Sequence, residues 1–266
     1  MTNAFLFKPG SIQSSEMNPL LLILLGLAVG ALTGITGSSG VLVVVPVLTF
    51  LGYSFQEAVG VSLAIDVITT TSVVYAYLRY GDVKLRVAGL MGVGAVLGAQ
   101  LGVRLALYLN PTPLEIAFSL FAGIMAVVSF RRSIKGVKLD NISKVRRGWL
   151  ALPLSICVGV LTGTLGTSGG IMFIAIMMMI YSMDVRVMIG TGTLAMLLSA
   201  LSGSLGYAIS GNLDLATSLI IGIAALGSGY LFSKLAHRLR PSIIYASLGT
   251  VFVITCLSEV IRLIRM

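Results

Sequence analysis

Apolar residues run through this chain in blocks of roughly twenty, parted by short polar turns, over almost its whole length. At about 1.5 Å per residue such a block spans a hydrocarbon layer of about 30 Å, so the pattern predicts transmembrane helices rather than a buried soluble core. The blocks fall near 19–36, 40–52, 56–78, 85–108 and 114–130, then near 149–165, 169–182, 186–208, 215–236 and 242–263. The strands of an outer-membrane barrel would alternate apolar and polar positions, and no such alternation is present. The expected fold class is an all-α polytopic membrane protein. Its first block follows Asn18 and Pro19 and continues without an A-x-A site, so it reads as a membrane helix and not a cleaved signal.

The block pattern repeats. Val29–Gly40 (VGALTGITGSSG) matches Val158–Gly169 (VGVLTGTLGTSG) at eight of twelve positions, with an offset of 129 residues. One inserted residue later, Gly60 matches Gly190, Tyr77 matches Tyr207, Gly81 matches Gly211 and Pro111 matches Pro241. Spaced agreement of this kind marks a duplication. The expected organisation is a tail over 1–18, a first repeat over 19–130, a linker over 131–148 and a second repeat over 149–266.

Composition adds little to the class and much to the orientation. The chain is 57% hydrophobic and 10% charged, against about 25% charged in an ordinary soluble domain. Its net charge of +9 sits in a few loops, as a topology signal does, so nucleic acid is not an expected partner. The linker holds seven of the cations against Asp140 alone, which places it in the cytoplasm. Threading outward puts the 79–86 loop inside with it, and the 52–57, 109–113 and 209–214 loops outside without Lys or Arg. Because 79–86 and 209–214 are repeat equivalents, the two halves are expected to be inverted, with both termini external.

Segments 40–52 and 169–182 are too short to cross comfortably, and each follows a Gly/Ser/Thr cluster. They read as broken or re-entrant helices, so the count of full crossings stays open between 8 and 10 segments. A helix restarting inside the membrane presents free N–H groups and a positive dipole end, to which Ser and Thr add hydroxyls. Two such breaks near the midplane could grip one oxyanion. The candidate substrate-binding residues are Thr33, Gly37, Ser38, Ser39 and Gly40, with Thr162, Gly166, Thr167, Ser168 and Gly169. Tight helix packing is the competing reading, and it suits Gly26, Gly30 and Gly34 best.

These glycine signatures, with Pro46 after the first, the Ala58–Leu63 stretch (AVGVSL) and the Arg79-x-Gly81 pair, resemble those of the TauE/SafE family of membrane permeases. The resemblance spans roughly residues 20–262. It departs from a run of three glycines at Gly37-Ser38-Ser39-Gly40, and Ala175 stands where a second proline would fall. The family is associated with moving small sulfur-containing anions, so the resemblance implies a sulfite or organosulfonate permease.

Among ionisable residues at depth, Asp66 stands out near the middle of its segment, where a carboxylate is costly. It is either an ion-coupling group or structural glue bonded to a neighbouring Ser or Thr, such as Thr69 or Thr70; its repeat equivalent is Met196. Ser62, Gln100, Thr191 and Thr193 are second-tier pathway candidates, with helix–helix bonding an equal reading for Gln100. Arg104, Glu57 and Asp214 are expected to reach the interface. Cys157 and Cys256 lack metal-ligand spacing, and no catalytic residue, metal or other cofactor is expected. The expected partners are a small anion, the bilayer and a coupling proton or cation; a homodimer is compatible with the pattern. An intramembrane enzyme finds no His pair, G-x-S-x-G elbow or paired Asp to work with. The alternatives to a carrier are an anion channel and a non-transporting sensor subunit.

Overall fold

The structure is a computed structural model that describes residues 19–135, 148–166, 169–181, 183, 185–236, 238, 239, 243, 246, 249, 250, 252–254, 256, 257, 260 and 261. The elements are α1 (Pro19–Thr36), α2 (Val41–Phe50), α3 (Phe55–Arg79), α4 (Leu85–Tyr108), α5 (Pro111–Lys135), α6 (Ala151–Leu165), α7 (Gly169–Ile180), α8 (Val185–Ile209) and α9 (Leu215–Ala236). No strand occurs among the described residues, and α1, α3, α4, α8 and α9 are each long and apolar enough to cross a membrane. The chain is an all-α polytopic membrane protein.

Local chemistry sets the boundaries. Ser54 and Glu57 form a capping box that starts α3. Asp214 accepts from the backbone N–H groups of Ala216 (3.0 Å) and Thr217 (3.2 Å) to start α9. Glu57 and Asp214 thus hold helix ends in place, a more specific role than the interfacial one their positions suggested. α1 and α6 stop at Gly37 (φ 64°) and Gly166 (φ 62°), a left-handed turn that residues with a Cβ adopt only under strain.

Glycine ridges align the helices. A Cβ on Gly26 would run into Ile221 of α9, and one on Gly34 into Gly229 and Ser233, so α1 and α9 lie parallel in backbone contact. In α4, Gly94 meets Leu152, Gly98 meets Ile156 and Gly102 meets Val160, which sets α4 parallel to α6. α3 and α8 cross antiparallel instead: Gly60 sits against Tyr207 and Asn212, and Gly190 against Tyr77 and Asp82. The contacts swap into one another when the halves are exchanged, because α1·α9 answers α4·α6 and α3·α9 answers α4·α8. With Ile68 beside Gly222 and Leu198 beside Gly92, α1, α3 and α9 run one way and α4, α6 and α8 the other. The short α2 and α7 must therefore each carry the chain back part-way. At about 1.5 Å per residue, their 10 and 12 residues cover roughly half the layer.

Large apolar side chains such as Leu20, Leu97, Leu101, Ile124 and Ile223 face outward, as lipid contact requires. Arg79, Lys84, Arg86, Arg186 and Lys234 gather at the end where α3 and α9 finish and α4 and α8 begin. There Arg79 lies 5.7 Å from the Tyr75 ring and Lys234 4.2 Å from the Tyr230 ring. The opposite loops, 51–54, 109–110 and 210–214, hold no Lys or Arg.

Candidate functional site

The first helix break is built by short-range bonds and closed by one long-range bond. The Gly37 N–H returns to the Thr33 carbonyl (2.8 Å). Thr36 Oγ1 accepts from the Ser38 N–H (3.1 Å), and Ser39 Oγ accepts from the Val41 N–H (3.1 Å). α2 restarts there, with the Gly40 carbonyl taking the N–H groups of Val43 and Val44. Asp66, 1% exposed near the middle of α3, reaches into this restart. The Gly40 N–H donates to its Oδ1 (3.0 Å), and the Ser39 hydroxyl donates to its Oδ2. The hydroxyl that meets the carboxylate is that of Ser39, not of Thr69 or Thr70. Their hydroxyls donate to the backbone carbonyls of Ile65 (2.8 Å) and Asp66 (2.6 Å).

The second break turns at Gly166 and restarts at Gly169; Thr167 and Ser168 lie outside the described residues. The Thr162 hydroxyl bonds the Val158 carbonyl (2.9 Å) and lies beside Gly169. Met196 stands at this restart as Asp66 does at the first, its sulfur 3.2 Å from where a Gly170 Cβ would be. The two breaks abut, for Gly170 faces the Gly37 carbonyl with no room for a methyl group. Gly37 in turn rests on Ile189 and Thr193 of α8, and Gly166 on Val59 and Val41. Thr33, Gly37, Ser38, Ser39, Gly40, Thr162, Gly166 and Gly169 are all buried.

The second-tier residues divide. Thr193 joins the first break, while the Thr191 hydroxyl accepts from the Lys84 N–H (3.0 Å) at the basic end. Gln100 binds the Ser202 carbonyl (2.6 Å) and hydroxyl (3.0 Å), a cross-link between α4 and α8. The Ser62 hydroxyl is buried without a partner among the described residues, as are those of Thr33 and Ser199. Ser62 is one helical turn from Asp66 and shares its face. Sequence reasoning missed Ser199, whose only signal was a lone hydroxyl in an apolar stretch. It also gave no role to Tyr207, matched to Tyr77 in the repeat, whose hydroxyl donates to the Gly163 carbonyl (2.9 Å).

At the end without cations, the Tyr53 hydroxyl donates to Asp214 Oδ2 (2.8 Å) and lies 3.1 Å from the Thr217 hydroxyl, tying the α2–α3 turn to the start of α9. Burial pushes the Tyr53 phenol up to about 12, so it stays a donor. Burial works against the Asp214 charge. The Thr217 and Tyr53 hydroxyls and the two backbone N–H groups outweigh it and hold the carboxyl below its ordinary value. Tyr53→Phe should lower stability in detergent by about 1–2 kcal/mol, read as a drop in melting temperature. A depressed carboxyl stabilises above its unfolded value and loses that contribution as pH falls through the folded one, so this cost should fade only in strong acid. Full additivity with Asp214→Asn would rule the bond out as the cause.

The family model described as "Sulfite exporter TauE/SafE" matches residues 22–258. The chain belongs to the TauE/SafE family. It is similar to the "Probable membrane transporter protein YunE" of Bacillus subtilis (strain 168), 24% identical across 90% of this chain and 96% of that one. It is also similar to the "Probable membrane transporter protein YdhB" of the same organism, at 27% across 86% and 94%. It is similar as well to the "Probable membrane transporter protein MJ0441" of Methanocaldococcus jannaschii, 26% identical over 44% of this chain and 46% of that one. No solved structure matches.

Proposed function

We propose that this chain is a secondary transporter that carries a small anion, sulfite or an organosulfonate, across the cell membrane by alternating access of two inverted halves. The observation that carries the reading is the abutment of two buried helix breaks, one from each half, at Gly37 and Gly170. Restarted helices supply N–H groups and dipole ends to an anion where no water competes. The antiparallel crossing of α3 and α8, themselves repeat equivalents, supports the inversion. Burial of every described break residue supports a carrier that encloses its cargo rather than an open pore. Family membership and the transporter names of the relatives support membrane transport, and the family's description as a sulfite exporter supports a sulfur oxyanion.

The segregation of cations to one end supports a cytoplasmic 131–148 linker between repeats over 19–130 and 149–266. In this reading Thr33, Gly37–Gly40, Thr162 and Gly166–Gly169 form the binding region, and Asp66 is the group on which a coupling ion acts.

Counterflow in proteoliposomes tests the proposal. Vesicles loaded with unlabelled sulfite should take up radiolabelled sulfite saturably and transiently above equilibrium, whereas a linear conductance without counterflow would sink the carrier. Wild-type flux should also respond to an imposed ion gradient, and Asp66→Asn should lose that response while still exchanging anion. An equal response in both proteins would remove Asp66 from the coupling role.

A further inference from the structure

The two breaks share a backbone shape but not a set of polar side chains. α1 ends at the first and brings the negative end of its dipole there, the end that attracts cations. Asp66 reaches the same place, and among the described residues it meets only neutral groups, the Ser39 hydroxyl and the Gly40 N–H. The Val41 N–H is engaged by Ser39 Oγ. Two further oxygens have no partner: the hydroxyls of Thr33 and Ser62, both residues 0% exposed, form no hydrogen bond among the described residues. An unpaired buried hydroxyl is destabilising, so two of them in one half need a reason. Ser62 sits one turn before Asp66 on α3. Its repeat counterpart is Gly192, where an added Cβ would lie 3.4 Å from the Gly170 carbonyl, so this position turns toward the start of the short helix, α7 in the second half and α2 in the first. The counterpart of Thr33 is Thr162, which lies beside Gly169 and has a partner in the Val158 carbonyl. The counterpart of Asp66 is Met196. One half therefore gathers a carboxylate and free hydroxyls, and the other has replaced or satisfied each of them.

We infer that the first break is a binding site for a monovalent alkali cation, held by the Asp66 carboxylate and the Thr33, Ser39 and Ser62 hydroxyl oxygens. Oxygen ligands without His or Cys suit a hard cation. One carboxylate suits a single positive charge, since a divalent ion would leave net charge buried. A hydroxyl can turn its hydrogen away and present a lone pair to the ion. A proton on the carboxyl would leave the Thr33 and Ser62 hydroxyls as unsatisfied as before. The inference rests on the reading of Asp66 as the coupling group and names the ion that acts on it. Because the two breaks abut at Gly37 and Gly170, the charge of that ion would favour an anion in the shared binding region.

Equilibrium binding of radioactive sodium and, separately, of radioactive rubidium (standing in for potassium) to the purified full chain in detergent tests the site. The pH is fixed, choline balances the salt, and size exclusion confirms that each protein is folded. The wild type should bind sodium or rubidium saturably, at one ion per chain. Asp66→Asn should lose that binding, and Ser62→Ala should weaken it on the order of tenfold. In choline Ser62→Ala should melt no lower than the wild type, because it removes an unpaired hydroxyl. With the cation present the wild type should gain melting temperature and Ser62→Ala should gain less, a split that a merely structural hydroxyl would not produce. Ser199→Ala deletes the other unpartnered hydroxyl, whose repeat counterpart Thr69 faces α9 at Gly229, and should bind as the wild type does. No saturable binding of either cation to the folded wild type, or wild-type affinity in Ser62→Ala, would overturn the site. The transporter reading would stand, because sulfite counterflow is measured separately. Saturable cation binding without sulfite counterflow would keep the site and remove the transporter reading.

Discussion

Gly98→Leu should abolish the folded protein in detergent extracts: the monodisperse peak in size exclusion is expected to be lost, with the chain running as aggregate. A Cβ at Gly98 would lie inside the Ile156 carbonyl and 2.9 Å from both Gly159 Cα and the Val160 nitrogen. These are backbone atoms held by the α6 ladder, so no side chain can swing aside to make room. Overpacking a core costs about 1–3 kcal/mol where side chains can adjust. Separating two glycine-lined helices forfeits the close contact that holds them together in lipid, so the cost here exceeds that range. Gly30→Leu should fail in the same way, because its added Cβ would meet the Ala225 carbonyl and Ser228 of α9. Gly89→Leu is the control: nothing lies within 4 Å of its Cβ position, and it should give a normal peak. A normal peak from Gly98→Leu would refute the α4–α6 seam.

Gly170→Ala should cut sulfite counterflow about tenfold or more, measured on protein that elutes as a folded peak in size exclusion. One methyl at this position points into the Gly37 carbonyl and must push the two breaks apart. If that displacement costs about 1–3 kcal/mol in the conformations the carrier visits, flux falls in proportion, since each 1.4 kcal/mol is about a factor of ten. Gly227→Ala, on a stretch of α9 with nothing within 4 Å, should transport as the wild type does. Equal flux from the two variants would mean that the contact between breaks is packing without consequence for transport.

The elements were legible wherever a residue with one strong preference punctuates an apolar run. Pro19, Asp214 and the glycines at 37 and 166 mark ends that the structure places at or beside the expected positions. The half-length of α2 and α7 was legible for the same reason. What the sequence could not convey was pairing. Asp66 is 26 residues from Gly40, and they meet only because α2 folds back between two parallel helices. No periodicity within α3 encodes that return, and the nearby Thr69 and Thr70 looked the better partners. Gly94, Gly98 and Gly102 carry the same four-residue spacing as Gly26, Gly30 and Gly34, yet spacing says that a helix can be approached closely, not by which neighbour. Gln100 read equally as a path-lining residue and as a helix–helix bond, because Ser202, its partner, lies 102 positions away on α8.

The glycine seams have a consequence for biogenesis. Among the described residues the extensive ones join a helix of the first half to one of the second: α1 to α9, α4 to α6, α3 to α9, α4 to α8 and α3 to α8. Synthesis proceeds from the N-terminus, and early segments enter the bilayer before late ones exist. Until α6 and α9 emerge, the ridges of α1 and α4 face lipid or whatever other helix is at hand. The first half must therefore wait with these ridges unpaired, and that interval is when the nascent chain is most open to wrong partners and to quality control.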